Sequence, residues 1–382
     1  MTVGQFRLIT AVLLLALVSF NHNASAQNTD PCSVVQMERI NGGAKIWSPD
    51  GRKYLVNDLD KHGNYQIYVG TAGSDERVCI SDQKIWSAPR PDRDKMQPIW
   101  HPSGRWIIVA GEKESHVGRL LPRSIRQGLL ECGVWMDMYA TTPDGRRWFK
   151  LRTMKGYTGP AFTPDGRKLV WAENVGPIGK SAPFAVWELD GAQFSALDDT
   201  PQLDSVFKFA LDGKWFEPGN FSPNGHDLLL TSDVGLKDAK GQDQFILDTR
   251  TNKLTNLTNT PDVWDEHGLF SPDGKKITFM SSYPYRHLKN SDKILSLKSE
   301  FMIMDADGSH LQQLTHFQTK GYPEYTPGGS TAAVAWFNRE GTELTATQLL
   351  SGKHFPNYNI WRIQLSGPCG NSGSSLDAAE GP

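Results

Sequence analysis

Cysteine is scarce. The 382 residues contain four, and none stands in a C-x-x-C pair, which argues against a zinc finger or a thioredoxin-type redox motif. A charge excess of either sign is also missing, since 40 basic against 42 acidic residues leave a formal net charge of −2. No global basic field is offered to nucleic acid or to an anionic membrane, and no nucleic-acid partner is expected. The chain lacks a G-x-S-x-G nucleophile elbow and any phosphate- or dinucleotide-cradling glycine loop, because its glycines belong to turns. These absences exclude a serine peptidase and a nucleotide-binding enzyme.

Long apolar runs are lacking too, apart from one near the start. Arg7 precedes the run from Leu8 to Phe20, and a short polar stretch then ends in Ala24-Ser25-Ala26. The run covers about 13 residues, short of the roughly 20 that a spanning helix needs. Residues 1–26 therefore read as a secretory signal peptide, with cleavage before Gln27. Cys32 is not at the cleavage site, so no lipoprotein anchor is indicated. The mature protein is expected to be periplasmic or secreted, monomeric, and without a transmembrane anchor. In an exported chain four cysteines favour disulfides, with three connectivities open.

What the sequence does have is a repeat. Six segments follow the order aromatic, Ser/Thr/His, Pro, small or acidic, Gly: Trp47-Ser48-Pro49-Asp50-Gly51, Trp100-His101-Pro102-Ser103-Gly104, Phe162-Thr163-Pro164-Asp165-Gly166, Phe221-Ser222-Pro223-Asn224-Gly225, Phe270-Ser271-Pro272-Asp273-Gly274 and Tyr325-Thr326-Pro327-Gly328-Gly329. Their second residues are spaced by 53, 62, 59, 49 and 55. Proline presets φ at the first corner of a tight turn, Asp or Asn accepts local backbone hydrogen bonds, and glycine takes the positive-φ position. Each segment is thus a hairpin. Apolar strand-like runs follow, as in Lys168 to Ala172 and Lys276 to Met280, then a third strand such as Phe301 to Asp305 and a fourth such as Lys253 to Thr258. Four antiparallel strands per repeat make a propeller blade, so the fold class is all-β, a six-bladed β-propeller.

The aromatic-Ser-Pro-Asp-Gly turn in six copies resembles the TolB-type, WD40-like propeller repeat, and the resemblance covers nearly all of the mature chain, residues 27–369. The sixth repeat supplies Gly321 to Tyr325, Thr331 to Phe337 and Tyr358 to Leu365, after which the chain becomes Gly/Ser-rich. The missing fourth strand is expected from Val34 to Ile40, so that an N-terminal strand completes the last blade and closes the ring. Cys32 and Cys369 flank these two strands and are expected to form a disulfide. Cys79 and Cys132 remain as a second pair or as two buried thiols. Residues 370–382 read as a disordered tail.

The resemblance implies that the strand before each turn lines the central channel, with its start on the same face as the loops joining second and third strands. Four to six residues before the turns lie Lys95 and Gln97, Tyr157 and Thr158, Phe216 and Glu217, Asp265, Glu266 and His267, and Tyr322. Long loops over that face carry Glu112, His116, Arg119, Tyr283, Tyr285, Arg286, His287, Arg339 and His354. Trp215 and Trp264 are the two tryptophans expected at the mouth. The segment Trp264-Asp265-Glu266-His267 stands out. Glu266 and His267, with His287, could bind a divalent cation or act as an acid/base pair. The preferred reading makes them a hydrogen-bonding network that holds water.

Two functions follow. The first is a non-enzymatic scaffold that, like the propeller of TolB, holds a protein segment or an envelope or extracellular ligand at the funnel face, with no cofactor expected. About 14 residues separate the cleavage site from the first inner strand, so TolB's N-terminal α/β domain is not expected. The second is a polysaccharide-active enzyme resembling the propeller-fold oligogalacturonate lyases, which would use a divalent metal and bind a glycan.

Overall fold

In the computed structural model the described residues are 32–176, 186–213, 215–236, 241–288, 297–351 and 357–369. The expected signal peptide (1–26), the expected disordered tail (370–382) and His354 lie outside them.

The repeat turn forms as its chemistry requires. In its first copy, Ser48 N donates to Lys53 O at 2.9 Å and Gly51 N to Ser48 O at 2.8 Å. Ser48 Oγ donates to Asp50 Oδ1 at 2.6 Å, and Gly51 sits at φ +69°. The equivalent glycines 104, 166, 225 and 274 have φ between +68° and +80°, a region closed to most side chains.

Each turn joins the first two strands of a blade. After β1 (Val34–Ile40) comes the first blade: β2 (Ile46–Trp47), β3 (Lys53–Leu59), β4 (Tyr65–Thr71) and β5 (Arg77–Cys79). The second comprises β6 (Lys95–Trp100), β7 (Ile107–Glu112), β8 (Met136–Thr141) and β9 (Trp148–Arg152). The third is β10 (Tyr157–Phe162), β11 (Lys168–Asn174), β12 (Trp187–Leu197) and β13 (Thr200–Lys208). The fourth is β14 (Phe216–Phe221), β15 (Asp227–Ser232), β16 (Asp243–Asp248) and β17 (Lys253–Asn256). The fifth is β18 (Asp265–Phe270), β19 (Lys276–Ser281), β20 (Glu300–Asp305) and β21 (Gln312–Gln313).

The sixth blade runs β22 (Ser330–Phe337), β23 (Glu343–Leu350), β24 (Tyr358–Leu365) and then β1, whose Val34 pairs with Leu365 and whose Ile40 pairs with Ile360. The N-terminal strand thus completes the last blade. The disulfide Cys32–Cys369 lies beside this seam, its Cα atoms 5.0 Å apart. Cys79 and Cys132 are free thiols, which removes the second-pair alternative.

The strand assignment within this blade differs from the sequence reading. Gly321 to Tyr325 form turns, and Thr331 to Phe337 belong to the inner strand rather than the second. The hairpin joining the first two strands is Phe337-Asn338-Arg339-Glu340-Gly341. There Asn338 N donates to Glu343 O at 2.8 Å, Gly341 N to Asn338 O at 3.1 Å, and Gly341 has φ +69°. Asn338 Oδ1 accepts from Thr342 N at 2.9 Å, so an asparagine side chain does the work that serine and aspartate share elsewhere. Arg339 consequently sits in the hairpin beside Gly51 instead of in a loop over the channel mouth.

Burial is concentrated between neighbouring blades. One cluster packs Met96, Ile108 and Met138 of the second blade on Tyr157, Leu169 and Trp171 of the third. Another sets Met280, Phe301 and Ile303 of the fifth against Leu344, Trp361 and Ile363 of the sixth. Each blade therefore buries both sheet faces, which is why its strands read as apolar runs rather than as strict alternations.

Candidate functional site

The inner strands share one irregularity. Register shifts interrupt β6 between Met96 and Ile99, β10 between Thr158 and Ala161, β14 between Pro218 and Phe221, β18 between Glu266 and Leu269, and β22 between Ala332 and Ala335. Each is a bulge in which two residues face one, and it re-aims the side chains around it. Residues four and three before the terminal aromatic of each strand consequently both line the channel: Met96 and Gln97, Thr158 and Gly159, Glu217 and Pro218, Glu266 and His267, Ala333 and Val334. Gln97 and His267 adopt φ +50° and +57°, unusual for residues with a side chain. Close approach of neighbouring strands is permitted by Gly219, where a Cβ would collide with the carbonyl oxygen of Gly268.

The channel encloses a cavity of about 520 Å³ whose walls are largely apolar, with rings from Trp215, Trp264, Trp336 and Tyr358 among them. A polar belt crosses four blades along one side of it. Gln97 Nε2 donates to Glu131 O at 3.1 Å and to Thr158 Oγ1 at 3.2 Å, and the Thr158 hydroxyl donates to Glu217 Oε1 at 3.3 Å. His267 Nε2 lies 3.5 Å from Glu217 Oε2, and Trp264 Nε1 donates to Glu266 Oε2 at 2.7 Å. One oxygen of Glu217, one of Glu266 and one nitrogen of His267 all lie within 4.8 Å of one another. Burial, together with the adjacent Glu266 carboxylate, pushes Glu217 up to about 7, against the pull of His267. Burial alone would depress His267, but the carboxylates of Glu217 and Glu266 outweigh it and hold its pKa above the ordinary value.

A lid crosses one edge of the mouth. The loop between β7 and β8 contains helix α1 (Arg123–Glu131), entered through Pro122 and ending on Cys132. Arg123 Nη1 donates to His62 O at 2.8 Å and Gln127 Nε2 to Gly63 O at 2.9 Å, which ties α1 to the first blade. The buried Glu112 carboxylate anchors the loop by gathering His116 at 2.8 Å, Arg119 at 3.2 Å and Arg126 at 3.7 Å. Glu131 and Cys132, at the end of α1, line the cavity. Burial, with the charge of Asp94, raises Glu131 to about 7, while the Tyr65 hydroxyl bonded to it pulls the other way. Burial first, then Glu266, Glu131 and Glu217, push the Cys132 thiol up to about 12.

Of the residues singled out in the sequence, Gln97, Thr158, Glu217, Trp264, Glu266 and His267 meet at the cavity, joined by Trp215. Lys95, Tyr157 and Asp265 do not. Each lies five residues before its aromatic and turns between blades, 0%, 0% and 1% exposed. Lys95 Nζ donates to Arg90 O at 2.7 Å, and burial brings the ammonium down to about 8. Asp265 accepts from the Thr260 hydroxyl at 2.6 Å. Tyr322 sits outside the cavity, stacked on His316 at 3.9 Å, because the inner strand of its blade is β22. Arg286 and His287 are exposed and do not line the cavity; the Arg286 guanidinium lies over the Tyr283 ring at 3.7 Å. The cluster is therefore Glu217, Glu266 and His267, with Glu217 in the place assigned to His287. Sequence reasoning missed Glu131, Cys132, Gln242 and Trp336. Only Pro122, a helix-start residue, pointed toward α1.

No family model and no curated protein matches the chain. Solved structures do. TolB from Acinetobacter baumannii is 16% identical with a TM-score of 0.47, over 86% of this chain and 65% of that one. An oligogalacturonate lyase from Vibrio parahaemolyticus is 12% identical with a TM-score of 0.47, over 86% and 90%. A puromycin-hydrolysing peptidase from Mycobacterium tuberculosis is 11% identical with a TM-score of 0.44, over 81% of this chain and 50% of that one. The chain thus spans less than two thirds of that TolB and half of that peptidase. The six-bladed β-propeller itself rests on the pairing of the chain's own strands.

Proposed function

We propose that the protein is a non-enzymatic binding scaffold that holds a protein segment or another extracellular ligand in its channel cavity. The observation that carries this reading is the cavity itself: about 520 Å³, within the roughly 300–1,000 Å³ typical of ligand sites, apolar-walled and polar along one side. No serine and no lysine lines it among the described residues, and its Cys132 thiol stays protonated near neutrality. Export is supported by the Cys32–Cys369 disulfide, which suits an oxidising compartment. No helix among the described residues is long and apolar enough to cross a membrane.

Native mass spectrometry of protein purified from its own host tests the reading. A bound mass is expected, and it should vanish in Ala333→Trp, which fills the cavity. Turnover of a glycan or ester panel that is lost in Glu217→Gln would overturn it.

One observation favours a second reading, a metal-assisted polysaccharide-active enzyme. Glu217, Glu266 and His267 offer two oxygens and a nitrogen to one point, a donor set that suits a divalent cation. In that case Glu217, Glu266 and His267, all deprotonated, would hold the cation, which would supply Lewis-acid polarisation of a bound substrate. Stoichiometric Mn, Ca or Zn that disappears in His267→Ala would support it. Against an acidic glycan stands the absence of Arg and Lys from the lining among the described residues.

A further inference from the structure

The polar atoms of the cavity are unevenly committed. Several of its donors are spent on the protein: Gln97 Nε2 on Glu131 O and Thr158, the Thr158 hydroxyl on Glu217, Trp264 Nε1 on Glu266, and Asn57 Nδ2 on Lys95 O at 2.8 Å and Gln66 O at 3.1 Å, while His267 Nδ1 has no partner. Acceptors are left over. Oε1 of Gln97 and Oε1 of Gln242 accept no hydrogen bond, although Gln242 is only 7% exposed, and both side chains line the cavity. A buried acceptor without a donor costs free energy, and a ligand whose N–H or O–H groups reach these oxygens relieves that cost.

The charge points the same way. Glu131, Glu217 and Glu266 line the cavity with no Lys or Arg among the described lining residues, and Lys95 of the second blade's inner strand is turned away into the protein. Among the described lining residues His267 alone is basic, against three carboxyl groups. A bare ion would leave most of the apolar wall unfilled. The indoles of Trp215, Trp264 and Trp336 in the wall suit an organic cation better than an anion.

Resting on the binding reading above, we propose that the cavity takes a protonated primary amine carried on an apolar chain or ring. The ammonium sits against Glu217 and Glu266, its N–H groups serve the free glutamine oxygens, and its body lies on the indoles. A quaternary ammonium fits less well, because it brings charge without the donors that Gln97 and Gln242 lack. The amine can belong to a small free molecule or to a lysine side chain of a protein segment.

Isothermal titration of the mature protein with 2-phenylethylamine, its neutral isostere 2-phenylethanol, and the peptide acetyl-Gly-Lys-Gly-amide tests this. One-to-one binding of an amine is expected, with the alcohol weaker by about tenfold or more. Glu217→Gln and Glu266→Gln should each cost the amine about tenfold and leave the alcohol unchanged, with circular dichroism confirming the fold. Binding of phenylethylamine alone assigns the site to small amines; binding of the lysyl peptide alone assigns it to a protein partner. Equal affinity for amine and alcohol, indifference of the amine to both variants, or stoichiometric Mn²⁺ without amine binding overturns the proposal. Uptake of the alcohol alone would leave the binding-scaffold reading standing, whereas conversion of the amine to a product would remove that reading too.

Discussion

Glu217 and His267 carry the physical tension of the site. Because Glu217 is raised to about 7 from its ordinary value of 4.5, the folded protein keeps this proton in a window where the unfolded chain has released it. The group's contribution to stability is therefore least unfavourable below about pH 4.5, worsens as pH rises, and is fully adverse above about 7. Glu217→Gln should accordingly gain stability relative to the native chain as pH rises from 4 to 8. Urea titrations at the two pH values measure it; an equal effect at both would contradict the assignment. His267 adds backbone strain at φ +57°. His267→Gly should exceed His267→Ala in stability by about 1 kcal/mol in chemical denaturation, since alanine bears the Cβ penalty and glycine does not. The residue types of this site were legible from their distance to the repeat turns. Their directions were not: Lys95, Tyr157 and Asp265 read as mouth residues because nothing in local sequence reveals which way a side chain leaves a bulged strand.

Among the elements, the inner strands and α1 decide what the channel can hold. Five bulges at nearly the same depth put successive residues on one side, and small residues then let the strands close in. Gly219→Ala should cost about 2 kcal/mol or more, read as a lowered midpoint with unchanged m-value, because its Cβ has to displace the backbone of the next blade. The five regular hairpins were legible, since proline, a side-chain acceptor and glycine leave the chain little choice. The sixth was misplaced. Tyr325-Thr326-Pro327-Gly328-Gly329 has much of the same turn chemistry but does not join two strands, whereas Asn338-Arg339-Glu340-Gly341 makes the hairpin without proline. Helix α1 escaped notice because its termini lack side-chain caps and its apolar residues are few.

For the whole molecule, the seam between β1 and β24 replaces the open edge that a row of six blades would otherwise present. Cys32–Cys369 clamps it across a separation of 337 residues. Replacing both cysteines by serine should lower stability by about 2–5 kcal/mol, with a matching fall of the native midpoint in reductant. If reductant leaves the native midpoint untouched, the disulfide does not constrain the ring. The architecture and the closing strand were legible without coordinates, because counting strands leaves one vacancy in the last blade and one spare strand at the other end. The same seam governs timing. β1 precedes every other strand of the ring, yet its partner β24 is the last of them, so the ring closes only by a pairing between its two ends. Any neighbouring chain at the same stage offers an identical β24, and a reciprocal exchange of first strands would close two rings at once. Refolding at high protein concentration should therefore yield exchanged dimers that dilution into native buffer does not separate.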